Sequence, residues 1–164
     1  MSNFSFKQTD NIPKELRDIP QWVNWKRVHR DGRWTKVPTD GAGTRISITD
    51  PSNFRSFEAV IAAYEAGLSD GIGFAFTEND PFCGIDLDHC IDPEGNIHPD
   101  ALGIVETLDS YTERSPSGEG LHIIVRGRML EGWKHKNMGT YAFPVEVYDR
   151  KRFFTVTGDR VEAK

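Results

Sequence analysis

Cysteine is scarce: Cys83 and Cys90 are the only two. Their spacing matches no common zinc module, and two thiols make no disulfide framework. A reduced, cytoplasmic protein is therefore expected. No apolar run approaches the roughly 20 residues that cross a bilayer, so no membrane partner is expected. The N-terminus, Met1 to Lys7, lacks the basic start and long apolar stretch of a secretory leader. Internal repeats and low-complexity tracts are missing as well. Positive charge is in short supply, with a formal net charge of −5. Nucleic-acid binders are usually basic, so this argues against tight, independent binding of duplex. A polymerase stays open, because some of the acids would be metal-binding carboxylates and affinity can come from other domains.

What is present suits a folded domain. Hydrophobic residues make up 37% and charged residues 27% of the 164-residue chain, too apolar a mixture for disorder. Four Trp and ten Phe supply bulky core material. The length suggests one domain, expected over 21–158 with a polar lead-in at 1–20 and a tail at 159–164. The basic residues fall into three clusters: Lys26, Arg27, Arg30, Arg33 and Lys36; Arg126, Arg128, Lys134 and Lys136; Arg150, Lys151 and Arg152. Each is a local phosphate contact or a solvated face.

Periodicity and turn residues divide the chain. Gln21 to His29 reads as a strand, Asp31-Gly32 as a hairpin turn and Arg33 to Val37 as the return strand, stopped by Pro38. Thr39 to Thr49 is a loop. Phe57, Val60, Ile61 and Tyr64 recur at helical spacing, predicting a helix from about Phe54 to Ala66 with Gly67 as its stop. Ile72 to Phe76 and Phe82 to Asp88 read as paired strands around the turn at Glu78 to Pro81. A loop from Cys90 to His98 precedes a second helix, Pro99 to Leu108. Thr112 to Ser115 and Leu121 to Arg126 are further strands. Gly127 to Thr140 is a long polar loop of the kind that is often functional. Val145 to Tyr148 and Phe153 to Thr157 form the last expected pair, joined by Asp149 to Arg152. The sum is an α+β fold, a mixed or antiparallel sheet with about two packed helices.

Three segments carry chemistry. In Gly84-Ile85-Asp86-Leu87-Asp88 the alternation of a strand puts both carboxylates on one face and Ile85 and Leu87 on the other. Like charges side by side repel unless a cation stands between them. Mg²⁺ or Mn²⁺ suits such oxygen ligands and keeps places for substrate phosphates. The alternative is a pair of strand-end carboxylates in solvent. Glu146, between Val145 and Val147, belongs either to a solvent face or to the same site. The site reading requires its strand to lie beside that of Asp86. In Ser115-Pro116-Ser117-Gly118-Glu119-Gly120-Leu121-His122, glycines permit close backbone approach, and the hydroxyls and backbone N–H groups can hold phosphate oxygens. His122 is a phosphate ligand or a core histidine satisfied by a carbonyl. Arg152 offers forked contacts to phosphate oxygens, and Lys36 a further cation.

With these three segments in order, the sequence resembles the archaeo-eukaryotic primase superfamily. It is most similar to the primase-polymerase domain at the N-terminus of phage and plasmid replication proteins. The matching motifs are Ile85-Asp86-Leu87-Asp88, Ser115 to His122, and Val145-Glu146-Val147-Tyr148-Asp149. Flanking support comes from Trp22-Val23-Asn24-Trp25, Lys36-Val37-Pro38, Gly71-Ile72-Gly73-Phe74 and Arg152 to Gly158, so the likeness spans about Trp22 to Gly158. The resemblance implies a catalytic core related to the RNA-recognition fold. It implies that Asp86, Asp88 and Glu146 bind catalytic metals. It also implies that Ser115, Ser117, Gly118, His122, Arg152 and Lys36 handle the triphosphate of an incoming NTP or dNTP, with a single-stranded DNA template and a primer strand as partners. The chain shows no zinc-binding element and no helicase region, so a helicase or accessory domain would be supplied elsewhere. Its end at Lys164 suggests a minimal domain, excised or naturally small.

Two other readings compete. A replication-initiator nuclease would need a closely spaced His pair and a helical tyrosine, whereas His122 is followed by Ile123-Ile124 and Tyr148 falls in a strand. A non-catalytic module would bind nucleotide or single strands, with Trp22, Trp25, Trp34 and Trp133 as stacking candidates.

Overall fold

The computed structural model describes residues 9–133, 135 and 140–162. Lys134 and Lys136 of the second basic cluster fall outside these residues, as do parts of the expected lead-in, the 127–140 loop and the tail. The chain forms helices α1 (Lys14–Arg17), α2 (Phe57–Glu65) and α3 (Pro99–Leu108). Its strands are β1 (Trp22–Arg30), β2 (Arg33–Thr39), β3 (Gly71–Phe76), β4 (Phe82–Leu87), β5 (Tyr111–Arg114), β6 (Leu121–Arg126), β7 (Val145–Tyr148) and β8 (Arg152–Val156). The α+β class is as expected. Among the described residues, no helix is long and apolar enough to cross a membrane.

Instead of one mixed or antiparallel sheet, the described residues form two antiparallel sheets of four strands, ordered β2-β1-β3-β8 and β5-β6-β4-β7. Two expected hairpins are therefore corrected. β3 does not pair with β4, and β7 does not pair with β8. β3 lies between β1 and β8, while β4 lies between β6 and β7. Both turns instead carry the chain from one sheet to the other. Asp80 fixes the first crossing: its buried carboxylate accepts hydrogen bonds from Gln21 Nε2, Thr77 N and Phe82 N. The second crossing is tied to the first by Arg128, which donates to the carbonyls of Thr77, Glu78 and Asp149. Arg150 adds ion pairs to Glu78 and Asp149.

Other boundaries shift for local reasons. Ser56 caps α2 by accepting from Ala59 N, so the helix begins at Phe57 rather than Phe54. Arg55 remains extended and exchanges two backbone hydrogen bonds with Trp22. Pro38 does not stop β2; it pairs opposite Trp25. β2 is an edge strand, where proline's missing N–H leaves no ladder bond unmade. The lead-in holds the short helix α1, and Ile12 and Leu16 are buried.

Alternation divides the apolar residues between two cores. Trp22, Ile72, Phe74 and Phe154 of the first sheet meet Val60 of α2, and Ile124 and Tyr148 of the second sheet, in one cluster. The opposite face of the second sheet presents Ile85, Leu87, Leu121, Ile123 and Val145 to Ala101 and Val105 of α3. At Gly84 the second sheet packs tightly against rings of the first. A Cβ there would stand 2.5 Å from the Phe154 ring and 2.7 Å from that of Phe76. Cys83 and Cys90 are buried free thiols, and burial pushes both up to about 11, out of the reactive range.

Candidate functional site

Strand register assembles the site. His122 on β6 stands opposite Asp86 on β4, and Asp86 stands opposite Glu146 on β7. Glu113 on β5 faces His122 from the other side. Directly opposed residues share a face, so Glu113, His122, Asp86 and Glu146 form one polar row across the second sheet. The row lies next to Tyr111, Ile124, Gly84 and Tyr148 in the inter-sheet core. Glu146 thus belongs to the Asp86 face. Asp88 comes just after β4, and its amide donates to Pro144 O ahead of β7.

Repulsion marks the acidic wall. Burial, then Asp88, then Glu146 push the Asp86 carboxyl up to about 6, while Arg152 and Lys36 pull it back. Glu146 accepts a 2.6 Å hydrogen bond from the Tyr148 hydroxyl and lies 3.8 Å from the Arg152 guanidinium. Arg152 in turn stacks over the Tyr148 ring at 4.6 Å. Burial and the Glu146 bond push Tyr148 up to about 12. His122 stacks on Phe154, with ring centroids 4.8 Å apart and planes inclined by 30°. Its Nδ1 is 3.0 Å from Thr155 O, an atom that only accepts, so Nδ1 carries the proton and Nε2 is directed toward Asp86 Oδ1 at 3.6 Å. Burial lowers its pKa to about 4, leaving a neutral ring. A carbonyl satisfies one nitrogen, as the core reading expects, while the ring also lines the groove.

That groove, about 1190 Å³, runs between the sheets. Asp86, Ser117 and His122 line one side; Lys36 and Arg152 come from the first sheet. Burial and the neighbouring Arg27 lower the Lys36 pKa, while Asp86 and Asp88 raise it. The Ser115 to Gly120 turn is held by its own polar groups. Gly118 N donates to Ser115 O with φ at +77°, and Gly120 N donates to Ser115 Oγ. The Ser115 and Ser117 hydroxyls are 3.1 Å apart. A Cβ on Gly120 would meet Leu87 O at 2.8 Å, so only glycine lets the turn press against the end of β4.

Of the expected residues, Asp86, His122, Ser117, Lys36 and Arg152 share the groove, and Glu146 adjoins it through Asp86 and Arg152. Asp88 couples to them by charge, and Ser115 and Gly118 shape the turn. The basic clusters divide: Arg128 and Arg150 brace the crossings, whereas Arg27, Lys36, Lys151 and Arg152 line the groove. Arg45 and Ile48 also line it and carried no signal in the sequence, because only the fold returns the 39–49 loop to the site. Among the described residues, no three His, Cys, Asp or Glu groups are close enough as placed to hold a metal ion. The donor chemistry fits one all the same. Asp86, Asp88 and Glu146 are hard oxygen donors whose mutual repulsion a divalent cation would relieve.

An acidic wall facing cations across an open groove is the electrostatic layout of a site for phosphate-bearing ligands. The chain is 37% identical over 148 residues, 89% of its length, to the DNA Primase-polymerase of Nitratiruptor phage NrS-1. The recognition drawn from the three motifs is borne out, since this relative carries the name they point to. The chain spans 20% of that relative's length. No protein-family model matches it.

Proposed function

We propose that this domain is the nucleotidyl-transfer part of a primase-polymerase, extending a strand on a single-stranded DNA template from NTP or dNTP. The observation that carries this reading is the register placing Glu146 beside Asp86 and His122, with Arg152 and Lys36 across the groove. Asp86, Asp88 and Glu146 would hold Mg²⁺ or Mn²⁺. Such ions, when bound, acidify the attacking 3′-hydroxyl and offset charge on the pyrophosphate. The chain's own groups do the positioning. Lys36 and Arg152 attract the triphosphate into the groove. Ser117 offers a hydroxyl and the glycine turn an open backbone edge. His122 offers Nε2, which takes up a proton as phosphate charge draws near. Tyr148 fixes one Glu146 oxygen, and the Phe154 ring keeps water from one face of His122. The rest of the replication machinery, a helicase included, would be supplied elsewhere.

Phosphoryl transfer depends mainly on positioning and electrostatics. Asp86→Ala/Asp88→Ala is expected to cut templated primer extension by at least about 100-fold, the scale of losing one preorganised electrostatic group. The assay is incorporation of labelled NTP or dNTP with Mg²⁺ or Mn²⁺, with and without a primer. Undiminished incorporation by the double variant refutes the reading. Metal-dependent triphosphate binding by wild type without incorporation favours the non-catalytic module. The nuclease alternative is disfavoured by Tyr148, whose raised pKa and bond to Glu146 make it a poor nucleophile.

A further inference from the structure

Besides Lys36, the β1–β2 hairpin carries charge that the proposed chemistry does not use. Between residues 26 and 36 stand Lys26, Arg27, Arg30, Arg33 and Lys36 against one acid, Asp31, in a chain whose net charge is −5. Register sets Arg27 opposite Lys36 and His29 opposite Trp34, so these four side chains share one face of the ribbon. Arg27, Trp34 and Lys36 line the groove. Two cations directly opposed repel, and Arg27 helps lower the Lys36 pKa; an anion lodged between them relieves both. Trp34 is 61% exposed and rests edge-on against His29, with centroids 5.1 Å apart. It is therefore a supported ring that buries no core. Trp34 lies about 7 Å along the strand from Lys36 at the usual rise per residue. That reach lets one nucleotide set its phosphate at the Arg27–Lys36 pair and its base on the indole. Lys36 also senses Asp86 and Asp88, so the stripe begins at the carboxylates and leads away from them.

Resting on the function proposed above, we propose that this hairpin face is the lane for a single strand of nucleic acid entering the site. Arg27 grips a phosphate and Trp34 stacks a base. Cations that track a backbone, with an aromatic platform between them, are how sequence-tolerant single-strand binding works.

The test uses the full chain and a fluorescent single-stranded oligonucleotide, read by anisotropy. Triphosphate binding with Mn²⁺ is measured in parallel, and circular-dichroism melting checks folding. Trp34→Ala is expected to weaken oligonucleotide binding about tenfold, with Trp34→Phe recovering most of it. Arg27→Gln is expected to weaken binding and reduce the slope of log K against log salt by about one. Triphosphate affinity of Trp34→Ala should remain within about twofold of wild type, since stacking on Trp34 concerns the strand alone. Unchanged oligonucleotide affinity in Trp34→Ala and Arg27→Gln overturns the lane. So does a loss confined to triphosphate, which would make the hairpin part of the nucleotide pocket. An anisotropy that wild type fails to raise, or a preference for anionic vesicles or an acidic peptide over the oligonucleotide, overturns it too. These readings need no turnover. Persistent incorporation by the Asp86/Asp88 double variant therefore refutes the proposed function alone and is separable from failure here.

Discussion

Glu113 has no exposed surface, yet it sets a carboxyl on β5, an edge strand of the second sheet. Its carboxyl accepts from the Tyr111 hydroxyl and from the amides of Thr157 and Gly158. It thereby fixes the end of β8, the strand whose Thr155 carbonyl orients His122. Burial outweighs these donors and raises its pKa to about 7. Below about pH 4.5 the group is neutral in both folded and unfolded chains. Above that the unfolded chain ionises first, so this group's contribution to stability falls until about pH 7 and is level beyond. The thermal midpoint of wild type should therefore drop from pH 5 to pH 7 more steeply than that of Glu113→Gln. Equal slopes would show that Glu113 does not titrate in this window. In the sequence Glu113 was one acid in a short strand with nothing to distinguish it, because its amide donors come from residues more than forty positions away.

Elements were easier to read than their partners. The β1–β2 hairpin was legible because Asp31-Gly32 joins strands that pair with each other. The turns at Glu78 to Pro81 and Asp149 to Arg152 carry similar signals but join strands of different sheets. Turn residues say where a chain reverses. They do not say which ladder receives the next strand, since both β3 and β4 are apolar enough to lie in either. What ties the two crossings together is Arg128, clamping carbonyls from both. Arg128→Ala should cost about 1 kcal/mol, the net worth of hydrogen bonds at an exposed clamp. Urea unfolding measures it, and an unchanged midpoint would leave the crossings to Asp80 and Asp149 alone.

For the whole molecule, the approach of the two sheets decides whether the site exists. The carboxylate row belongs to one sheet and Lys36 and Arg152 to the other, so the groove is as wide as the packing between them allows. Gly84 and Phe154 set that spacing on the same strands that carry Asp86 and Arg152. Gly84→Ala puts a methyl within 2.5 Å of the Phe154 ring. Overpacking of this kind costs about 1–3 kcal/mol. It should lower the thermal midpoint and, by moving β8 relative to β4, weaken triphosphate binding as well. A stable variant with wild-type affinity would show that the sheets adjust independently of the site.

The sequence alone determined the α+β class, both main helices, most strands and the acidic, glycine-turn and basic segments of the site. These follow from local rules: helical and strand periodicity, the conformational freedom of Gly118 and Gly120, and the hard-oxygen chemistry of paired carboxylates. Only the tertiary structure decided that the strands divide into two sheets, that Glu146 stands beside Asp86, and which cations brace the fold and which line the groove. Those outcomes rest on contacts between residues distant along the chain. Their energies depend on which faces are buried together, and no local pattern encodes that.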